Sequence, residues 1–489
     1  MLTNRGIRFF SAVLAALLLA SACGCARTVP SVLSESASAS PDLIIAAEPT
    51  ETPSAVPTAT PQQTPALRYI FLFIGDGMGP LQIQAADEAL TADGREPLAF
   101  LDFPVCGLSH TNNASGETTD SAAAATAIAC GVKTESDMLG LDPDGNRVAS
   151  VAETLRDMGR KIGILTTVSV DHATPAGFYA HVSFRRDYDV IADDLFASGF
   201  DYFSGGGFHE TPDAAAHAEE NGYALCATLS EAAAASEGKI IYESDQIIGD
   251  FGLVPAIDGG ARAGQLADSL ALAVDRLTGQ DGFFIMVEGG RIDYFCHYHD
   301  AASVAYEIYD MNEAVEVALA FYEAHPNETL ILVTADHETG KLSLSEGDRT
   351  ALLRQTISCD TCDDTLAADC IADQTPFESA LPQFLAAFGL EDPTDEETAY
   401  LSEAYRHTIL QDLSASAKKA QYGVYEPITC ACANLVAARA GVAFGSGSHT
   451  SLDVPVYALG VGQEFFEGVY ENTAIHDSIL QAAAEYPIG

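Results

Sequence analysis

Unbroken apolar runs that stop at a glycine or an acid constrain this chain most. Tyr69-Ile70-Phe71-Leu72-Phe73-Ile74 runs straight into Gly75-Asp76. A strand with one wet face would alternate apolar and polar residues, so an unbroken run is covered on both faces. Similar runs stand at Lys161–Thr167, Phe283–Val287, Leu330–Thr334 and Val454–Leu459, with helical patterns between them at Val148–Asp157, Ala263–Leu277 and Val304–Tyr322. Strands alternating with helices predict an α/β fold: a central, mostly parallel sheet with helices on both faces. Ligands of such sheets bind at the carboxyl ends of the strands. Asp76, Glu288, Asp336 and His337 all fall at such ends.

The chain has 489 residues, 48% of them hydrophobic, enough for one large α/β domain with insertions. Its 70 acidic and 23 basic residues give a net charge of −47. Such a surface repels nucleic-acid backbones and anionic lipid, so no nucleic-acid partner is expected. A site for anionic substrates on this chain needs local positive charge, which bound metal ions would supply.

Residues 1–22 read as a signal peptide. Arg5 and Arg8 precede an apolar run from Phe9 to Ala20 that is short for a membrane span. Leu19-Ala20-Ser21-Ala22-Cys23 resembles a bacterial lipoprotein cleavage site, with Cys23 lipidated. Cys25 and ordinary secretion are the alternatives. Residues 23–67, rich in Pro, Ser, Thr and Ala, read as an extended tether of ~3 Å per residue. The expected location is the outer face of a bacterial membrane, reached only through the lipid anchor. The catalytic domain is expected over 68–489.

A largely helical insertion is expected over about 341–444, with a charged stretch from Glu391 to Glu397 and helical material at Glu403–Ala420. It holds Cys359, Cys362, Cys370, Cys430 and Cys432. Export permits disulfides, and pairs within the insertion are the expectation. A structural zinc is the alternative, although the spacing is not that of a standard finger.

Several residues offer chemistry. Asp76 stands in Gly75-Asp76-Gly77-Met78-Gly79, where glycines let backbone pass close to an ion. Asp120-Ser121 opens an alanine-rich run, which places Ser121 in the first turn of a helix. There the helix dipole favours an alkoxide and a bound phosphate, although these two residues taken alone are better explained by plain capping. Asp293 and His297 are four apart and share a helix face. Asp336-His337 end a strand, and His449 sits in a Gly/Ser loop. Carboxylates and histidines distributed this way suit mixed oxygen/nitrogen zinc sites and a harder oxygen site for magnesium.

These residues together resemble the alkaline phosphatases. The nucleophile segment is matched by Asp120-Ser121-Ala122-Ala123, Thr126-Ala127 and Gly131-Val132-Lys133-Thr134. Further matches follow in order: Gly75 to Gly79; His172-Ala173-Thr174-Pro175 with His181-Val182 and Arg185; Val287-Glu288-Gly289 with Asp293 and His297; Thr334-Ala335-Asp336-His337; and Gly447-Ser448-His449-Thr450. The resemblance implies two Zn2+ and one Mg2+. Asp293, His297 and His449 would hold the first zinc. Asp76, Asp336 and His337 would hold the second, facing Ser121. Asp76, Thr174 and Glu288 would hold the magnesium.

It further implies hydrolysis of small phosphate monoesters through a phosphoserine on Ser121. Arg185 would clamp the phosphate and Asp120 would orient Arg185. His172 stands where relatives carry Asp or His, near the third metal. Tyr294 stands where Lys or His is usual, near the phosphate. A homodimer is expected by resemblance alone. The rival functions are a phosphodiesterase, sulfatase or phosphonate hydrolase of the same superfamily, or a non-catalytic metal- or phosphate-binding lipoprotein. None of the expected ligands or the nucleophile is missing.

Overall fold

The computed structural model describes residues 64–488, apart from 210, 212, 237, 250–251 and 260–263. The expected signal peptide, Cys23 and nearly all of the expected tether lie outside the described residues.

A ten-stranded sheet forms the centre. Its strands are β1 (Tyr69–Gly75), β2 (Val105–His110), β3 (Lys161–Thr166), β4 (Tyr202–Gly205), β5 (Tyr223–Cys226), β6 (Lys239–Glu243), β7 (Phe283–Gly289), β8 (Thr329–Ala335), β9 (Val454–Gly460) and β10 (Val469–Glu471). They lie in the order β10-β2-β9-β8-β1-β7-β3-β4-β6-β5. Every pairing is parallel except those of β9, which runs against both β8 and β2.

The apolar runs are unbroken because both faces are buried. Tyr69, Phe71 and Phe73 join one hydrophobic cluster, with the helices Pro80–Ala92, Gln265–Leu277 and Ala301–Ala324. Ile70, Leu72 and Ile74 join the other, with Ser121–Cys130, Val151–Asp157 and Thr473–Glu485. Successive side chains of a strand point to opposite faces, so a doubly covered strand must be apolar throughout.

Between β8 and β9 the chain leaves the sheet. Leu342–Leu344 pairs with Val442–Phe444 in an antiparallel ladder, and helices fill the span from Ala351 to Ala440. The material expected at Glu403–Ala420 is two helices, Asp395–Leu410 and Ala415–Gln421. Gln411 turns left-handed (φ 48°) and Ser414 caps the second helix through the Ala417 N–H. The acidic stretch opens the first helix, where Thr394 and Glu397 form a reciprocal cap.

The expected disulfides are not formed: all nine described cysteines are free. Cys359, Cys362, Cys370, Cys430 and Cys432 are buried and pack as small apolar side chains in the core. Burial pushes the Cys362 and Cys430 thiols up to about 12. Among the described residues no cysteine belongs to a group that could hold a metal. Nor is any described helix long and apolar enough to cross a membrane.

Candidate active site

Strand register brings the first ligands together. Gly75 of β1 aligns with Ala335 of β8 and with Gly289 of β7. Asp76 and Asp336 therefore leave neighbouring strands side by side, and Glu288 lies one residue back on β7. The backbone N–H groups of Gly77 and His337 donate to Asp336 Oδ1 at 3.1 and 2.9 Å. The other oxygen, Oδ2, is left 3.2 Å from His337 Nε2. The same nitrogen is 3.5 Å from Asp76 Oδ1 and 3.4 Å from Ser121 Oγ. Gly77 has φ +69°, and a Cβ there would stand 2.7 Å from Asp293 Oδ1, so the turn leaves no room for a side chain.

A second group forms beside it. Asp293 and His297 share one face of the helix Arg291–Tyr298, with His297 Nε2 at 3.1 Å from Asp293 Oδ2. His449 joins them at 3.1 Å from His297 Nε2 and 3.7 Å from Asp293 Oδ1. It reaches the group because β9 runs antiparallel: the loop before β9 lies where the parallel strands end. The Nδ1 atoms of His297 and His449 are each 2.9 Å from a carbonyl, of Gly447 and Thr119. Nδ1–H donation leaves each Nε2 lone pair facing inward, as a metal ligand requires. The His337 and His449 rings stack at 3.7 Å, so His337 also closes a ligand group with Asp293 and His449. The two groups are contiguous rather than separate.

The third group is Asp76, His172 and Glu288. His172 Nδ1 is 4.0 Å from Glu288 Oε1, nearer than a flanking role requires. The Thr174 hydroxyl donates to Asp76 Oδ2 at 3.5 Å. Thr166 donates to Glu288 Oε2. On the open side, Asp120 caps the helix Ser121–Cys130 by accepting from the Ala123 N–H, a cap of roughly 1 kcal/mol. Its other oxygen accepts from Asp137 N–H and from Arg185 Nη1 at 3.3 Å. The Arg185 guanidinium also lies 3.4 Å from His172 Nε2.

The electrostatics ask for cations. Asp76 Oδ1, Asp336 Oδ2, Glu288 Oε1 and His172 Nδ1 are buried without a hydrogen-bond partner. Orphaned polar atoms are costly unless an ion satisfies them. Burial, then repulsion from Asp336 and its neighbours, holds Asp76 well above the usual carboxylate range. Burial likewise raises Asp336 to about 8 and Glu288 to about 7. Burial also opposes charge on Asp293, but its hydrogen bond with His297 and the attraction of nearby histidines outweigh that and hold it low. His337 is pushed well down by burial and His172 to about 3, so both stay neutral donors. Carboxylate oxygens with neutral imidazoles fit divalent metals.

Above these groups opens a cavity of about 480 Å³, lined by Ser121, Arg185, His297 and His449 among others. Tyr294 also lines it, its ring 6.1 Å from His172. Burial raises the Tyr294 hydroxyl above its ordinary value, so this wall carries no charge.

Every site residue expected from the sequence lies in or beside this assembly. Sequence reasoning missed Thr166 and Thr339. Thr339 donates to Asp293 Oδ1 at 2.5 Å and fixes the ligand that serves two groups. It also missed Gln82, which holds Glu338 at 2.9 Å behind the Asp336-His337 turn. The signal available was position: Thr166 ends β3 opposite Glu288 of β7, and Thr339 stands two residues after His337.

The alkaline phosphatase family model matches residues 67–201 and 249–485. Alkaline phosphatase 4 of Bacillus subtilis is 29% identical over 429 residues, covering 83% of this chain and 87% of its own. Streptomycin-6-phosphate phosphatase of Streptomyces griseus is 31% identical over 352 residues, 60% of this chain and 78% of its own. Among solved structures, a cold-active alkaline phosphatase of Shewanella sp. superposes with a TM-score of 0.73 at 25% identity, covering 86% of this chain and all of that one. The Thermus thermophilus enzyme gives 0.69 at 26%, over 88% and 95%. Fold, metal-ready groups and family model agree: the chain belongs to the alkaline phosphatases, enzymes that hydrolyse phosphate monoesters.

Proposed function

We propose that hydrolysis runs through a phosphoserine on Ser121, in a site charged with two Zn2+ and one Mg2+. The observation that carries this reading is Ser121 Oγ at a helix N-terminus, 3.4 Å from a neutral histidine within a group of unsatisfied carboxylates. Asp76, Asp336 and His337 would hold one zinc, and Asp293, His297 and His449 the other. Asp76, Glu288 and Thr174 would hold magnesium, with His172 beside it. A solved structure of the TAB5 alkaline phosphatase, 27% identical, has Mg bound in its M3 site. Bound metals supply the positive charge that favours the Ser121 alkoxide, the departing alkoxide and an ionised water.

The chain's own residues do the rest. Arg185 grips two phosphate oxygens and Asp120 holds its guanidinium in place. Ser121 Oγ bonds to phosphorus as the ester oxygen leaves on the opposite side. Water then bonds to phosphorus from that side, and the Ser121 oxygen leaves, releasing inorganic phosphate.

The test is direct. The purified protein is assayed on a phosphomonoester, a phosphodiester and a sulfate ester, with and without chelator, and its metals are counted. Monoester turnover should exceed the others by roughly a hundredfold or more and vanish with chelator. A preference for the sulfate or the diester overturns the assignment.

Tyr294 supplies no charge to the phosphate, so product should leave readily. Tyr294→Lys is expected to tighten phosphate inhibition by roughly fivefold, the scale of a partly exposed ion pair. An unchanged inhibition constant with a lowered melting temperature would show that Tyr294 serves packing instead.

The proposed anchor is checked separately. Cys23→Ser should move the enzyme from the membrane fraction to the medium. Wild-type protein already free in the medium would refute lipidation. A homodimer belongs to the same reading.

A further inference from the structure

The catalytic cavity has an unusual charge for this chain. The molecule carries 70 acidic residues against 23 basic ones, yet Asp293 is the sole carboxylate among the described residues lining the cavity. Three cations line it: Arg185, Arg186 and Lys419. Arg185 is committed to Asp120. Arg186 and Lys419 are exposed, and neither makes an ion pair among the described residues. Lys418, next to Lys419, is by contrast paired with Glu426 at 3.1 Å. The two cations also come from segments far apart in sequence. Arg186 follows the phosphate-gripping arginine, whereas Lys419 lies on the helix Ala415–Gln421 between β8 and β9.

We propose that Arg186 and Lys419 form a second anion site at the mouth of the cavity, and that the preferred substrates are phosphomonoesters bearing a further carboxylate or phosphate. This rests on the phosphomonoesterase reading above and narrows its substrate class. Two unpaired cations facing one cavity would lower each other's cost by sharing an anion. Each is hydrated and needs no partner of its own, but together on a cavity wall with a single carboxylate they give a second anion a locally favourable potential. The adjoining cavity of about 290 Å³ shares Tyr294 and Tyr298, but Asp360, Asp363 and Asp364 line it against one cation, Arg291, which is paired with Asp360. That side repels a second anion, so the anion is directed toward Arg186 and Lys419.

The experiment compares glycerol 3-phosphate with 3-phosphoglycerate, similar in size but differing by one carboxylate. At low salt, kcat/KM of the full-length, metal-loaded enzyme should favour 3-phosphoglycerate by roughly tenfold, chiefly through KM. Lys419→Ala with Arg186→Ala should bring the ratio near one, and Lys419→Arg with Arg186→Lys should keep most of it. Added salt should erode the preference, since exposed charges are screened. A wild-type ratio near one, or a ratio unchanged in the double alanine variant, overturns the inference. Failure of the wild type to hydrolyse either ester would instead overturn the phosphomonoesterase reading itself. Melting temperatures of both double variants separate lost binding from lost folding.

Discussion

Ser121→Ala should cost at least about a thousandfold in kcat while leaving the metal content of the protein unchanged. In the proposed mechanism the Ser121 hydroxyl attacks phosphorus, and the residues that would hold metals are others. Alanine fits the alanine-rich first turn of Ser121–Cys130 without strain, and the Asp120 cap does not involve the Ser121 side chain. The fold should therefore survive, and the melting temperature should move little. Wild-type enzyme quenched in acid with substrate should yield phosphoserine at Ser121, and the variant none. Activity within about tenfold of wild type would mean that water attacks the ester directly, and the phosphoserine mechanism would fall.

Stripping the metals should abolish turnover and also make stability fall as pH rises. Without cations, burial and mutual repulsion hold Glu288 near 7 and Asp336 near 8, far above ordinary carboxyls. The folded chain then binds protons that the unfolded chain releases near pH 4. Stability drops wherever the folded state holds the extra protons, from about pH 4 up to about pH 8, and levels off above. The neutral His172 and His337 offset part of this, so the chelated protein should melt roughly 3 °C lower at pH 8.5 than at pH 5.5. The metal-loaded protein should lack this loss, because its carboxylates are ligands and stay ionised. Equal melting temperatures of the chelated protein at both pH values would show that the carboxylates do not crowd one another.

What could be read from the residues follows from how each element is buried. β1, β3, β7 and β8 were legible because both faces are covered, which writes an unbroken apolar run. β2 was not: its Val105–His110 segment alternates buried and exposed positions, and Cys106 and Leu108 face outward. β4, β5 and β6 are four or five residues long, too short for a pattern to stand out. The run at Val454–Leu459 was visible as a strand, but its direction was not. Direction depends on whether the preceding chain crosses over or folds back, and more than a hundred residues intervene. The acids and histidines were legible because few residues serve as ligands. Thr166 and Thr339 act through one hydroxyl each, and threonine at a strand end is ordinary. The cysteines misled because clustering in sequence carries no geometry, and here the thiols serve as core packing.

The antiparallel course of β9 also fixes the order in which this enzyme can come alive. Ser121 contacts His337 across 216 residues, and His449 reaches back to Thr119 across 330. A chain growing from the ribosome exposes the proposed nucleophile early, but it cannot shape the pocket until His449 has emerged. The half-made polypeptide has neither a finished sheet centre nor a complete set of ligands, and β1 waits for partners that begin at Phe283 and Thr329. Such distant pairings make for slow assembly. Truncated or stalled products should thus be inert toward cellular phosphate esters, and catalytic power arrives in one late step when the C-terminal stretch docks.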